Sequence, residues 1–509
     1  MKNRYLTDLQ VTLFQTTNKT LYSSVSPIYE LQQKPVILTG QEIGLKTTQL
    51  IQSAKQEVLV LFYKFDVQSD LGRQIYDSLL YLKRKAQETK IPINICILIN
   101  SLHPVTDFFY RENTDSGLEN LQSDDYFNIH FATHETFAFG SLKSKMIIVD
   151  GHRATILSGD ADATSNRKQH IATMIKGLIV NDMRDDFNQL WFKYTKNQLT
   201  ALTEDPHNNE HAPSTHVPCF FISKQEKGNP FSLYSPSPYQ IALVSAIKKA
   251  TKCIHVMTPH LNDPYICEAL ADACNQGIEI KILTRQSHPD MGIILNKIKT
   301  EHLNHIQIRY AAMPDDDEPD DIIAKYISVD EILVFVGSSS PDVQDMKYSR
   351  VADVIFEDEE TVRDFENNIF GKQFQNGTNH YQDAFFQLIM LIDKHYIRID
   401  NNGCIEKSDK LQNMLTDITN STDEPLNKIQ QLIYKSLPIL KEPTWINIRN
   451  PYSYRDVYNQ MIMLGFKSII DEIVPEDLKL LTNSPYTFKF NANNAEVELV
   501  DDREIELRP

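Results

Sequence analysis

The strongest constraint on this chain is that it repeats itself. Gln41 to Lys55 has the spacing of an amphipathic helix, and Glu57-Val-Leu-Val-Leu-Phe-Tyr-Lys64 is an apolar run short enough for a buried strand. A second helical stretch, Gly72 to Glu88, leads to Ile93-Asn-Ile-Cys-Ile-Leu-Ile99, bounded by Pro92 and Asn100. The same series returns later: helix from Tyr239 to Thr251, strand from Cys253 to Thr258, helix from Asp263 to Gln276 stopped by Gly277, strand from Ile278 to Leu283. Ile93 aligns with Ile278 at an offset of 185 positions. A later landmark also recurs. Leu142-Lys143-Ser144-Lys145-Met-Ile-Ile-Val-Asp150 matches Ile323-Ala324-Lys325-Tyr-Ile-Ser-Val-Asp330, with both lysines and both aspartates offset by 180. Alternating strands and helices predict α/β lobes, each a mostly parallel sheet covered by helices. Two copies in one chain predict a pseudo-symmetric pair whose Lys-x4-Asp elements meet at a shared interface.

The repeat sets the domain boundaries. A first lobe spans 1–205 and closes with a helix from Met183 to Lys196 carrying Phe187, Leu190, Trp191 and Tyr194. Residues 206–236 are polar, with His207, His211, His216 and prolines 206, 213 and 218, and read as a solvated linker. His170 brings those histidines to four, but the segment has no periodicity that would fix a metal geometry. The second lobe spans 237–375. Beyond it the repeat stops. Helical periodicity at 380–396, 411–419, 426–440 and 454–472 predicts a helical C-terminal module over 376–509. Tyr486-Thr-Phe-Lys-Phe and Ala495-Glu-Val-Glu-Leu-Val500 alternate with period two and predict a terminal β-hairpin.

Composition narrows the function classes. The net charge is −17, from 51 basic and 68 acidic residues, which disfavours general nucleic-acid binding while leaving room for a local basic pocket. No GxGxxG is present, and Gly40-Gln-Glu-Ile-Gly44-Leu-Lys46-Thr47 has the wrong spacing for a phosphate loop. The acidic run at 315–321 lacks the glycine turn of a calcium loop and reads as solvated. Six cysteines are scattered without CxxC spacing, so free thiols in a reducing compartment are expected, with no metal and no cofactor. No apolar stretch approaches a membrane span, and the start of the chain does not look like a signal peptide. The expectation is a cytoplasmic protein, or one delivered without a classical signal peptide. Intracellular bacterial effectors often share this composition, although no residue places the chain among them.

With these elements in view, the chain resembles the phospholipase D superfamily, whose signature is His-x-Lys-x4-Asp followed by Gly-Ser. The resemblance covers roughly 35–200 and 237–375. Ser237-Pro-Tyr-Gln followed by Ile-x-Val-Met-Thr-Pro259 is similar to the start of the family's second half, and Leu190-Trp191 after Phe187 to the helix that closes its first. The resemblance implies two α-β-α sandwich lobes forming a pseudo-dimer. It also implies a mechanism in which one histidine attacks phosphorus, the other protonates the leaving oxygen, the lysines hold the phosphate and the aspartates orient the histidines.

This chain departs from that pattern where the chemistry lies. Lys143 stands at the first histidine position and Ile323 at the second. Isoleucine can neither attack nor protonate, and a lysine nucleophile would need its pKa lowered by about 3 units to be neutral near pH 7. After Asp150 the chain reads Ser158-Gly159-Asp160-Ala-Asp162, two residues late for Gly-Ser, and after Asp330 it reads Gly337-Ser338-Ser339-Ser340, with Ser340 where the family has asparagine. The motif positions are therefore Lys143, Lys145, Asp150, Lys325 and Asp330. Lys145, Lys325, Ser338, Ser340 and Tyr63 are candidate phosphate ligands. His260, at the C-terminal end of its strand, is the candidate substitute imidazole; His134 and His152 are weaker ones. Two readings of the lysines stay open: a phosphate clamp, or relics in which Lys145–Asp150 and Lys325–Asp330 satisfy one another.

The resulting expectation is a catalytically inactive pseudoenzyme. It would hold a phosphoester, phospholipid or nucleotide, or serve as a scaffold whose protein partner binds the C-terminal module. The alternative is an active phosphodiesterase, phosphatidyltransferase or nuclease with a site rebuilt from Lys143, His260 or the acidic loop. Two fused repeats build the cleft without a second copy, so a monomer is expected.

Overall fold

The computed structural model describes residues 5–379 except for breaks at 18–22, 101–116, 119–120, 135–139, 163–164, 166–168, 203–214, 227–235, 286–293, 295–296, 300–301, 303–304 and 312–321. Beyond 379 it describes only 397–399, 405–407, 486–491 and 496–501. One compact unit comprises Met1–Gln286 and Arg309–Gly377, and a second comprises Ser287–Ile308 and Thr378–Pro509.

The first unit opens with helix α1 (Leu6–Thr17) and the short strands β1 (Ser23–Val25) and β2 (Tyr29–Glu30). The first lobe follows: β3 (Val36–Thr39), α2 (Gln41–Gln52), β4 (Glu57–Phe62), α3 (Asp70–Thr89), β5 (Ile93–Asn100), β6 (Phe127–His134), β7 (Met146–Val149), β8 (Arg153–Leu157), β9 (Ile171–Lys176) and α4 (Ile179–Thr195). Its sheet runs β3-β9-β8-β7-β4-β5-β6. The second lobe contributes β10 (Pro218–Lys224), α5 (Pro238–Lys249), β11 (Cys253–Met257), α6 (Pro264–Asn275), β12 (Glu279–Thr284), β13 (Ile306–Tyr310), β14 (Tyr326–Val329), β15 (Leu333–Gly337), α7 (Val343–Lys347), β16 (Val351–Glu357) and α8 (Glu359–Phe365). Its larger sheet includes the run β10-β16-β15-β14-β11-β12, which follows the order of β3-β9-β8-β7-β4-β5 in the first lobe.

Local sequence explains most of these elements. Every residue of β4 and of β11 is buried, as expected of central strands covered on both faces. Ser69 caps α3 by accepting from Gly72 N, and Ser237 and Asp263 cap α5 and α6, each followed by proline at the first helical position. An apolar core that includes Met146, Ile148, Phe187 and Trp191 of the first lobe with Val334, Val336, Phe356 and Phe365 of the second runs through the contact between the lobes.

Three expectations need correction. The sheets are mixed rather than mostly parallel: β4, β5 and β6 pair in parallel, but β7, β8, β9 and β3 form an antiparallel half. The reason is that the Lys-x4-Asp stretch is the first arm of a tight hairpin, which can only be antiparallel. The segment read as a linker contains β10, a wholly buried strand that pairs with β16 as β3 pairs with β9. Residues assigned to the first lobe, β1 and β2, pair with β10 in the second sheet.

In the second unit, Tyr486–Asn491 and Glu496–Asp501 pair antiparallel, the hairpin expected there. The helical segments expected between 380 and 472, the acidic run at 315–321, His207 and His211 lie outside the described residues. Cys96, Cys219, Cys253, Cys267 and Cys274 are buried free thiols. Among the described residues no helix is long and apolar enough to cross a membrane.

Candidate site at the lobe interface

The two motif segments meet across the lobe boundary by reciprocal backbone bonds. Lys143 N and Ser144 N donate to Arg350 O at 2.9 and 3.1 Å, and Ile323 N and Ala324 N donate to Gln169 O at 3.0 and 2.9 Å. Both positions that would carry the family's histidines therefore sit at this seam. Buried behind it, Arg350 of the second lobe pairs with Asp186 of α4 at 2.5 Å, and Ser223 of β10 also donates to Asp186.

Three lysines converge in front of the seam. Lys145 Nζ donates to Lys143 O at 2.9 Å, lies 3.6 Å from Asp160 Oδ2, and stands 6.0 Å from the centre of the Tyr63 ring. Lys325 Nζ reaches into the first lobe and donates to Ser158 O at 3.0 Å and to Ile323 O at 3.2 Å. Lys143 Nζ crosses the other way and pairs with Asp345 at 2.5 Å.

Burial and the charges of Lys145 and Lys143 push the Lys325 pKa down to about 7, against the pull of Asp345 and Asp160. For Lys143, burial is outweighed by Asp345 and Asp342, so its pKa is raised. Lys143 is thus pushed away from the neutral form a nucleophile needs, and Lys325 toward it. Burial pushes Asp342 and Asp353 up to about 7, and Asp345 adds to both shifts; Asp345 itself is held below the usual range, because its lysine contacts and the Ser340 N–H outweigh burial.

The motif aspartates are elsewhere. Asp150 accepts from the backbone of Lys55, Gln56 and Glu57, and Asp330 from the backbone of Thr251, Lys252 and Cys253 and from the hydroxyls of Thr251 and Tyr5. A strand of four residues separates each from its lysine, about 16 Å at the usual rise. Both sit in the hairpin turn with φ of 52° and 55°, a left-handed conformation that aspartate tolerates better than most residues. Their job is to close the turn and tie down the loop before the neighbouring strand. The pairing of Lys145 with Asp150 and of Lys325 with Asp330 is thereby excluded, and neither aspartate belongs to the site.

The other candidates divide. Tyr63 borders the lysines. Ser338 Oγ bonds Ala352 N and Ala352 O, and Ser158 Oγ bonds Ile171 N and Ile171 O in the same way. Position 158 is thus the counterpart of 338, so the first lobe's element is in register rather than two residues late. Asp160 then corresponds to Ser340, the family's asparagine position. Ser340 N donates to Asp345 Oδ2 at 2.9 Å. His260 lies at the end of β11 with its Nδ1 3.5 Å from an Arg285 nitrogen. His134 is buried between Asn100 and Glu226 at the far edge of the first sheet. His152 is buried at the hairpin turn, and Gly177 N donates to its carbonyl.

Sequence reasoning passed over Asp160 as a lysine partner, and over Asp342, Asp345, Asp353 and Arg350 altogether. It weighed His170 only as a metal ligand. A Cβ at Gly159 would stand 2.5 Å from His170 Nδ1, so the ring packs on the loop that holds Asp160, and burial pushes its pKa down to about 4. Among the described residues no group of three or more His, Cys, Asp or Glu is arranged to hold a metal ion.

Residues 243–372 match the family model described as cardiolipin synthase, PLD-like domain. No curated protein matches the chain. Among solved structures, the chain is similar to phosphatidylserine synthase of Haemophilus influenzae Rd KW20, at 12% identity over 73% of this chain and 92% of that one, with a TM-score of 0.49. It is also similar to polyphosphate kinase of Porphyromonas gingivalis, at 11% identity over 81% and 54% of the two chains and a TM-score of 0.41. A third similarity is to Nuc of Salmonella typhimurium, a phospholipase D family member, at 20% identity over 28% and 91% with a TM-score of 0.24.

Proposed function

We propose that this chain, which carries a phospholipase D-like domain at 243–372, is a pseudoenzyme that binds an oxyanion of the phosphoester class without turning it over. The single observation that carries this reading is the convergence of Lys145 and Lys325 from opposite lobes. Burial, and after it the charge of Lys145, lowers the Lys325 pKa, and a bound anion would relieve both by favouring the ammonium form. The hydrolytic relay has no carrier at either position. Ile323 has no titratable group, and Lys143 is held protonated by Asp345. Phosphatidyl and nucleotide headgroups share the chemistry this pair would recognise. The negative charge of the whole chain favours a small ligand over an extended polyanion.

The test couples binding to turnover. Inorganic phosphate and glycerophosphocholine are titrated into the full chain while melting is followed, and bis-p-nitrophenyl phosphate is offered as a substrate. Binding at about 100 times the dissociation constant stabilises the fold by about 2.7 kcal/mol. The expected result is that stabilisation, its loss in Lys145→Ala, and no release of nitrophenol. Turnover abolished by Lys145→Ala or Lys325→Ala would refute the pseudoenzyme reading, and unchanged melting with every probe would refute the binding one.

A further inference from the structure

The offset of 180 between the lobes exposes an exchange of side chains around the lysines. Ser158 matches Ser338, and Asp162 matches Asp342: Ser165 N donates to Asp162 Oδ1 at 3.0 Å as Asp345 N donates to Asp342 Oδ1 at 2.8 Å. Two further positions carry opposite residues. The first lobe has Asp160 and Ser165, and the second has Ser340 and Asp345. Both loops close alike, since Asp160 N donates to Ser165 Oγ at 3.2 Å and Ser340 N donates to Asp345 Oδ2 at 2.9 Å. A hydroxyl thus suffices for the closure at 165 and 345; at 160 the carboxylate also accepts from Tyr63 N and Lys64 N at 3.2 and 3.1 Å through Oδ1, a role an amide oxygen can fill, which leaves its charge to Lys145. Yet each lobe keeps one acid, and each acid takes a different lysine: Asp160 lies 3.6 Å from Lys145, and Asp345 lies 2.5 Å from Lys143. Burying a carboxylate is costly unless it is paired. Both face ammonium groups of the cleft: burial raises the Asp160 pKa against the pull of Lys145, while Lys143 and the Ser340 N–H outweigh burial at Asp345 and hold its pKa down.

We propose that Asp160 and Asp345 are built-in counter-ions that compete with an incoming oxyanion for Lys145 and Lys143 and thereby set the anion affinity of the cleft. This rests on the oxyanion-binding reading above and adds what limits it. An entering phosphate either displaces a carboxylate or arrives with protons. The charged and titratable groups that reach this cluster are Tyr63 and Lys143, Lys145, Asp162 and His170 of the first lobe, and Tyr239, Lys325, Asp342 and Asp353 of the second. Lys325, Asp342 and Asp353 all titrate near neutrality and supply the proton sites. Binding is therefore linked to proton uptake and tightens as pH falls.

Inorganic phosphate is the probe, titrated calorimetrically at about pH 8 and about pH 6 into the full chain and into Asp160→Asn and Asp345→Asn. The wild type is expected to bind more tightly at the lower pH. Each amide variant is expected to bind about tenfold more tightly than wild type at the higher pH, with a shallower pH dependence. Asp345 is wholly buried, so Asp345→Ser, the hydroxyl found at the matching place, stands in if the amide fails to fold. Asp160, partly exposed, carries the test independently. If the acid-to-amide variants bind phosphate no more tightly than wild type while Lys145→Ala loses it, the counter-ion role is refuted and the binding reading survives. If neither wild type nor any variant binds phosphate at either pH, both fall.

Discussion

Replacing Lys325 by methionine should stabilise this protein at acidic pH and have little effect at alkaline pH. In the folded chain the Lys325 pKa is about 7, against 10.5 for the free side chain, a gap worth on the order of 5 kcal/mol. Because the folded pKa is the lower one, the folded state holds fewer protons than the unfolded state between those two values. The penalty is therefore complete below about pH 7 and fades as pH rises toward 10.5. Methionine removes it, but also removes donors to Ser158 O and Ile323 O, at about 1 kcal/mol each. The net gain is about 3 kcal/mol at pH 6. At about pH 9 the remaining penalty is about 2 kcal/mol, so loss and gain cancel. With an m-value of about 3 kcal/mol/M, the urea midpoint should rise by about 1 M at the lower pH and stay put at the higher. The same variant should lose phosphate binding, which would mark Lys325 as a residue kept for its ligand at the expense of the fold. A midpoint that falls at pH 6, or moves equally at both pH values, would refute the reasoning.

Three other outcomes follow from the geometry. Arg350→Ala leaves Asp186 buried with Ser223 as its recorded polar partner and should cost about 3–5 kcal/mol in urea unfolding, whereas Arg350→Met with Asp186→Leu should recover most of the loss. Asp150→Ala removes the acceptor of three backbone N–H groups at a left-handed turn position, so it should destabilise by several kcal/mol without changing phosphate affinity per folded molecule; an affinity loss in the folded fraction would return Asp150 to the site. Tyr5→Phe deletes a 2.6 Å hydroxyl–carboxylate bond to Asp330 and should cost about 1.5–3 kcal/mol, read as a lower urea midpoint.

Periodicity and repetition made α2, α3, α5, α6 and their buried strands legible, because each element's pattern matches its environment. β10 was hidden for a local reason. The apolar run Cys219-Phe-Phe-Ile222 stands just behind Pro218 and the polar, histidine-rich stretch before it, and composition there outweighed four consecutive apolar residues. The lysines were legible because their spacing repeats at an offset of 180. Their partners were not. Asp342, Asp345 and Asp353 follow the second motif at no telling interval, and only the return of the chain through α7 and β16 brings them to the lysines. Asp150 and Asp330 failed the other way: neighbours in sequence, they are carried off by an intervening strand. The motif keeps an aspartate there because the turn needs it.

Tyr5, Leu6, β1 and β2 dock on the second lobe, and this bears on how the protein is made. Tyr5 N and Leu6 N donate to Glu357, Tyr5 also reaches Asp330, and β1 pairs with β10. At about 5–20 residues per second, a ribosome needs roughly 20–70 s to travel from Tyr5 to Glu357. β1 and β2 wait until β10 is made and Tyr5 until Glu357 is, while the first lobe has everything its own sheet requires. The strap that ties the second lobe at Glu357 and Asp330 is thus made ahead of both lobes and fastened only after the last of its partners emerges.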